Sequence, residues 1–553
     1  MNNKKTYISE LIFLTLLFIS AFYLWSIPLQ KNPMPYSEHD GAYIFAYGDD
    51  MAYKDKTYWI TGNNPLSTSF WYARYQEKYG PRSAYYPPTY NMDYAFAEIF
   101  GGARIVPAFI FIIISCTLGM FSIYLLIRKL YGTQIAMVVA ISMLFSFREI
   151  MYYLWGQRHN LFAFVYIPIA IYSLYCYLKS FYEKKEKIVY LYLYSLMLLA
   201  TYLAHLSATA FLAPFTLMLI SYFIIKYRRL PIQKKNIKHY LIISAILGVI
   251  IVLFFNTYFA GSGLESKGED TLNFATLSKW LDRPDDNYNT NPVVLDYKDN
   301  YISIYTIIFL IAGITYMLIR RRDEDWVIII AIVTLYLMFH LHFFGLSDKN
   351  NYRIARFLMV ESYFFYTALV VGILTIPDYF KIPAKVKRYI KYVLIIAYVI
   401  ILVSTQGIKA YNTLSESYPE IMRITPNQLE LANWIEQHIP PTSALDIRGT
   451  LTYPKARYIQ VLSRRVIHYS DEYPEKRYVI FKGIIKEGMN VPREYVNGTD
   501  WIISIDYIIF DYSDLMLLGA QADINQLQQM EKEVAKNATL LYDKNNIKVY
   551  RFD

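Results

Sequence analysis

The chain has 553 residues, 55% of them hydrophobic, 18% aromatic and only 18% charged, and its mean hydropathy is +0.21. A water-soluble chain carries about a quarter charged residues, so the composition excludes an ordinary soluble globular protein and points to a polytopic membrane protein. The net charge of +10 requires no nucleic-acid partner, because the excess collects in short alternate connections where it orients the chain against anionic lipid.

Apolar runs of about 20 residues, long enough to cross some 30 Å of hydrocarbon, recur along the chain. Eleven spans are expected, near 8–28, 105–127, 131–147, 160–178, 188–204, 206–225, 239–259, 301–319, 326–344, 355–376 and 390–407. The runs at 131–147 and 188–204 are short, as tilted or incomplete spans would be. The first is read as a retained anchor, since it is long and lacks a small-residue cleavage site. Lys4-Lys5, "LIRKLYG", "LKSFYEKKEKI", "IIKYRRLPIQKKNIKH", "IRRRDED" and "FKIPAKVKRYIKY" fall on alternate connections. The other set includes 260–300, where eight acidic residues outnumber four basic ones. The expected orientation is therefore a cytoplasmic amino terminus and an extracytoplasmic carboxyl-terminal region. Cys116 and Cys176 both fall inside spans, which leaves no disulfide framework or cysteine metal site.

Three outer segments are large: the first loop at 29–103, the connection at 260–300 and the tail at 408–553. Residues 1–407 are read as a transmembrane domain and 408–553 as a soluble α/β domain, since about 145 residues can bury a core of their own. In the tail, "NQLELANWIEQHIPPTSALDI" reads as helix, turn and strand, whereas "RYIQVLSRR", "RYVIFKGII" and "DWIISIDYIIFDY" read as strand-like runs. "ATLLYDKNNIKVYRFD" reads as a closing hairpin turning at Asn545-Asn546.

The first loop opens on "PMPYSEHDGAYIFAYGDDMAYKDK", residues 33–56, a run of carboxylates beside a membrane span. "SEHD" is also a capping box, with Ser37 as N-cap and Asp40 at N3. The second outer loop, "REIMYYLWGQRHN", carries Arg158 and His159, and the last, "GLSDKNNYRIARFLMVES", carries Arg353 and Arg356. Those two arginines are three apart and share a helix face at headgroup depth, where a guanidinium matches phosphate oxygens bidentately. Snorkelling to head groups or pairing with Glu361 are their other readings.

In its long first loop with an Asp motif, its "YPP" element, "LWGQRHNLFAFVYIPIAIY", "TYLAHLSATAFLAPF" and its soluble tail, the chain resembles the GT-C superfamily of membrane glycosyltransferases. It looks closest to the archaeal and bacterial branch related to oligosaccharyltransferases. The resemblance implies transfer of a sugar from a polyprenyl-phosphate-linked donor to a glycan, lipid or protein acceptor on the outer face, among membrane lipids. It implies Asp40 as catalytic base, assisted by Glu38, and Arg353, Arg356 and Arg158 on the donor phosphate. A divalent metal, Mg or Mn, is the implied cofactor, with Asp40 and His159 as ligands. A helix-end hydrogen bond is the other reading of His159. The chain departs from oligosaccharyltransferases in two places: "GQRHN" lacks a carboxylate pair, and the tail lacks "WWDYG". Lipid-linked oligosaccharide transfer to protein and a non-catalytic scaffold or transporter are the competing readings. A transporter would place ionisable groups at mid-membrane, and few are found there.

Overall fold

The computed structural model describes residues 2–36, 41–42, 45, 48–49, 52, 88–154, 156, 158–259, 306–339, 358–416, 423–440, 443–450, 453–469, 478–482 and 500–552. The membrane part is built from α1 (Asn2–Trp25), the short α2 (Ile27–Lys31), α3 (Pro88–Gly101), α4 (Val106–Tyr131), α5 (Thr133–Leu144), α6 (Phe147–Leu154), α7 (Arg158–Tyr182), α8 (Val189–Ala204) and α9 (Leu206–Tyr227). It continues through α10 (Ile237–Phe259), α11 (Ile307–Arg320), α12 (Asp323–Phe339), α13 (Leu358–Thr375), α14 (Ala384–Leu402) and α15 (Ile408–Glu416). Each expected span meets a helix. Among the described residues, however, only seven helices are long and apolar enough to cross alone, and the α5–α6 pair, bent by 41°, makes an eighth. The run at 131–147 thus breaks at Phe145-Ser146. Ser146 Oγ donates to the Glu149 carboxylate, an S-x-x-E pair that starts α6 in a new direction.

Two helices form the middle of the bundle. About 83% of the apolar window of α7 and 89% of that around α13 is buried, against 6% for α10, which packs at the periphery. The crossing of α11 and α13 depends on two glycines. A Cβ on Gly313 would lie 1.9 Å from the Ala368 carbonyl oxygen, and one on Gly372 the same distance from that of Phe309. Without hydrophobic drive between helices in lipid, such backbone contact is a main source of association.

The basic connections gather at one end of the bundle and find acidic partners there. Arg128 pairs with Glu10 at 2.9 Å, Lys179 with Glu324 at 2.5 Å and Lys391 with Asp378 at 2.8 Å, and Lys226 and Arg320 meet Asp323 and Asp325. Tyr36, Arg104, Arg158 and His205 belong to the connections at the opposite end.

α14 passes through a π-helical turn, Val403–Gly407, directly into α15, so the expected boundary at 407/408 lies within one continuous helical run. Beyond it come α16 (Pro426–His438), β1 (Ala444–Arg448), α17 (Tyr453–Ser463), β2 (Val466–Tyr469), β3 (Tyr478–Lys482), β4 (Asp500–Ser504), β5 (Tyr507–Asp511), α18 (Ser513–Leu518), α19 (Gln521–Val534), β6 (Ala538–Lys544) and β7 (Ile547–Phe552). The five-stranded sheet has the order β2-β1-β5-β7-β6, with β1 parallel to both neighbours and β7 antiparallel to β5 and β6. β3 and β4 pair separately. The central β5 is buried at every position, as a strand covered on both faces must be. One face is covered by α16 and α17 and is continuous with the membrane core. The other holds its own cluster of Ile508, Phe510, Leu515, Ile524 and Leu527. The hairpin turns at Asn545 and Asn546, both at positive φ, as a two-residue type I′ turn requires.

"RYIQVLSRR" departs from its expected strand character. It lies in α17, because Tyr458, Ile459 and Leu462 recur at helical spacing and pack into the core, while the intervening apolar Val461 makes the run look strand-like in isolation.

Candidate active site

The acidic segment begins where α2 ends. Its carboxylates Glu38 and Asp40 lie outside the described residues, as do Arg353 and Arg356, but the residue at its foot, Tyr36, is described and fully buried. Arg158, at the head of α7, donates from Nη2 to the Tyr36 carbonyl at 2.8 Å and from Nη1 to the Tyr94 hydroxyl at 3.4 Å. Its guanidinium carbon sits 4.6 Å from the Phe109 ring centroid and 5.4 Å from that of Tyr36. The charge is thus buried among aromatic faces and engaged by the loop itself, so in this structure Arg158 holds the foot of the acidic segment. Tyr36 also contacts the Tyr153 hydroxyl at 2.5 Å through its own. Burial pushes the Tyr36 hydroxyl up to about 12, so it stays protonated at neutral pH.

His159 follows Arg158 and is equally buried. Its ring lies 4.7 Å, centroid to centroid, from His205, which caps α9. The His205 Nδ1 accepts the Ser207 backbone N–H at 3.1 Å and lies 2.6 Å from the Ser207 hydroxyl. An accepting Nδ1 puts the proton of the neutral ring on Nε2, so His205 is a hydrogen-bond donor and not a metal ligand in this arrangement. Among the described residues no three His, Cys, Asp or Glu side chains converge. With His205 used as a cap, His159 is left as one ligand, and the described residues do not fit a metal site by themselves.

Downstream of the acidic motif the loop is pinned a second time. Asp49, only 1% exposed, accepts from Arg104 Nε at 2.5 Å and Nη2 at 2.7 Å, and from Arg464 at 3.3 Å. Glu436 closes the network, 3.1 Å from Arg464 and 3.7 Å from Arg104. Asp49 lies in the expected acidic run. Arg104, Glu436 and Arg464 carry no local motif, and only the network that joins them marks them.

Beneath this end is a small, mainly apolar pocket in the bundle, lined by Trp25, Met120, Met143, Leu161 and Val165, into which Glu149 brings a carboxylate. Arg148 and Glu361 form a buried ion pair beside it, linking α6 to α13. Glu361 accepts from Arg148; the arginines also weighed as its partners, Arg353 and Arg356, lie outside the described residues.

Two solved membrane enzymes share the overall fold. The oligosaccharyltransferase of Archaeoglobus fulgidus in its apo form is 11% identical, with 83% of this chain and 64% of that one aligned at a TM-score of 0.54. The chain thus spans under two-thirds of that protein. The same enzyme in complex with Zn and sulfate gives 12% identity, 90% and 68% coverage and a TM-score of 0.53. ArnT from Cupriavidus metallidurans aligns over 97% of both chains at 11% identity, with TM-scores of 0.51 in the apo state and 0.50 bound to undecaprenyl phosphate. At such identities the likeness is one of fold: a polytopic helical membrane protein of the GT-C type. No curated protein sequence matches the chain significantly. The model of a family of unknown function, DUF6541, matches residues 58–345, more than half of the chain, and it is to this family, here with a GT-C-like membrane architecture, that the protein belongs.

Proposed function

We propose that the protein is a membrane glycosyltransferase that moves a sugar from a polyprenyl-phosphate-linked donor to an acceptor on the extracytoplasmic face. The observation that carries this reading is the buried anchoring of the acidic loop: Arg158 and Tyr36 fix the foot of "SEHD" at the end of the bundle where His159 and His205 lie. The fold shared with ArnT, whose structure bound to undecaprenyl phosphate is known, supports a lipid-carrier donor. In this reading Asp40 takes the acceptor's proton, Glu38 assists, and Arg353 and Arg356 hold the departing phosphate, whose developing charge needs fixed donors. Arg158 positions the loop. No step is assigned to a metal.

The test is turnover of polyprenyl-phosphate sugars by the purified full chain. Asp40→Asn keeps the capping geometry but cannot accept a proton, and the expected loss is on the order of 10²–10⁴-fold in kcat. Near-normal turnover by the folded variant would make the carboxylate a helix cap. Arg356→Gln is expected to raise KM for the donor at least as clearly as it lowers kcat.

A further inference from the structure

The acidic motif is flanked by Tyr36 and Asp49, and both flanks are held by residues from beyond position 420. Upstream, the Tyr458 hydroxyl of α17 donates to the Tyr36 carbonyl at 3.1 Å, sharing it with Arg158. Arg423, 3% exposed, donates to the carbonyls of Pro28 at 2.9 Å and Asn32 at 2.6 Å, and its guanidinium lies 4.9 Å from the Tyr36 ring centroid. The Ile424 N–H reaches the Pro35 carbonyl at 3.4 Å. Downstream, Arg464 from the end of α17 and Glu436 from α16 complete the charge network around buried Asp49. Within the intervening segment, Phe45 packs its ring 6.4 Å from that of Tyr458.

We propose that the carboxyl-terminal α/β unit is the clamp of the catalytic loop, with Arg423, Tyr458 and Arg464 as positioning residues for the carboxylates between Tyr36 and Asp49. This rests on the glycosyltransferase reading, and its physical basis is separate from it. Backbone carbonyls at 28, 32, 35 and 36 accept from groups of the distant unit, those of Pro28 and Tyr36 sharing them with the Asn32 N–H and Arg158, so losing the unit weakens the pairing all along the foot of the loop. The loop therefore keeps this path only while the unit stays docked. Because a misplacement of about 1 Å can cost on the order of 10²-fold in rate, docking and turnover are coupled. As a positioning device the clamp is expected to act on kcat and to leave donor KM nearly unchanged.

The test compares wild type with Tyr458→Phe and Arg464→Gln in the full chain, with Arg464→Lys as the conservative variant. Hydrogen exchange of the peptide covering 33–52 is expected to rise at least tenfold in Tyr458→Phe and Arg464→Gln, while exchange of β1 and β5 stays at the wild-type level. Turnover falls by about 10–100-fold at constant donor KM, and Arg464→Lys recovers part of both. Unchanged exchange at 33–52 would overturn the clamp whatever the activity. Loosened exchange with full turnover would overturn its positioning role, provided Asp40→Asn is inactive. If Asp40→Asn is as active as wild type, the catalytic reading fails and the exchange result still decides the clamp. A variant that also loosens β1 and β5 is replaced by Arg423→Lys, which keeps a donor for Pro28 and Asn32 and is judged by the same peptide.

Discussion

A guanidinium buried without partners costs several kcal/mol, and Arg158 offsets this with the Tyr36 carbonyl, the Tyr94 hydroxyl and aromatic faces. "GQRHN" reads as a polar loop that could serve a ligand, and nothing within it reveals that the partner of Arg158 lies 122 positions away. A residue's type and depth were legible from the sequence. Its partner was not, because partners are set by which helices meet. Asp446 in β1 shows the same separation. It is fully buried, with Oδ2 accepting from Arg448 Nε at 2.6 Å, and burial pushes it up to about 6 despite that arginine. The unfolded value is about 3.9, so between about pH 4 and pH 6 the folded chain binds more protons and its stability falls as pH rises, then levels off. A two-unit rise corresponds to at most about 3 kcal/mol. Half-buried Asp93 shifts in the same direction, also to about 6, so the assignment needs a variant. Between pH 4 and 6 the melting temperature of the solubilised wild type should fall relative to that of Asp446→Asn, which lacks this titration. An identical slope in the variant would show that Asp446 does not titrate in this window.

At the scale of elements, the helices themselves were legible as apolar runs, since about 20 such residues have few other ways to satisfy their backbone in lipid. What composition did not disclose is how they cross and where they break. Gly313 and Gly372 are single glycines in long apolar runs, unmarked by spacing, yet each sits against a carbonyl of the other helix. Gly372→Val should force α11 and α13 apart. Overpacking commonly costs about 1–3 kcal/mol, and the backbone contact here puts this case at the upper end. The expected outcome is a lower melting temperature and a shorter half-life in detergent, with a smaller effect for Gly372→Ala. A neutral Gly372→Val would mean that the two helices do not meet at this depth. The misread "RYIQVLSRR" has a related cause. A short apolar run does not distinguish periods of 2 and 3.6, and the choice was made by the core beneath α17.

At the scale of the whole molecule, alternation of basic connections was the strongest signal, and the contacts of those connections agree with it. Arg128, Lys179, Lys226 and Arg320 come from four different connections, yet all reach acidic groups at one end of the bundle. Docking of the carboxyl-terminal unit onto the first loop was not legible, because it depends on pairs such as Arg464 and Asp49, separated by 415 positions. Which end faces the cytoplasm follows from charge alone: Lys and Arg near short connections are retained inside. That orientation is a proposal with a direct test. In a background with Cys116→Ala and Cys176→Ala, one cysteine is placed at exposed Lys235, between α9 and α10, and another at exposed Gln521, at the start of α19. An impermeant thiol reagent applied to intact cells should label Gln521→Cys and should label Lys235→Cys only after the membrane is opened. The reverse pattern would turn the acidic loop and its clamp toward the cytoplasm. The donor's sugar would then have to be presented on that face, and the extracytoplasmic acceptor would be lost from the proposal.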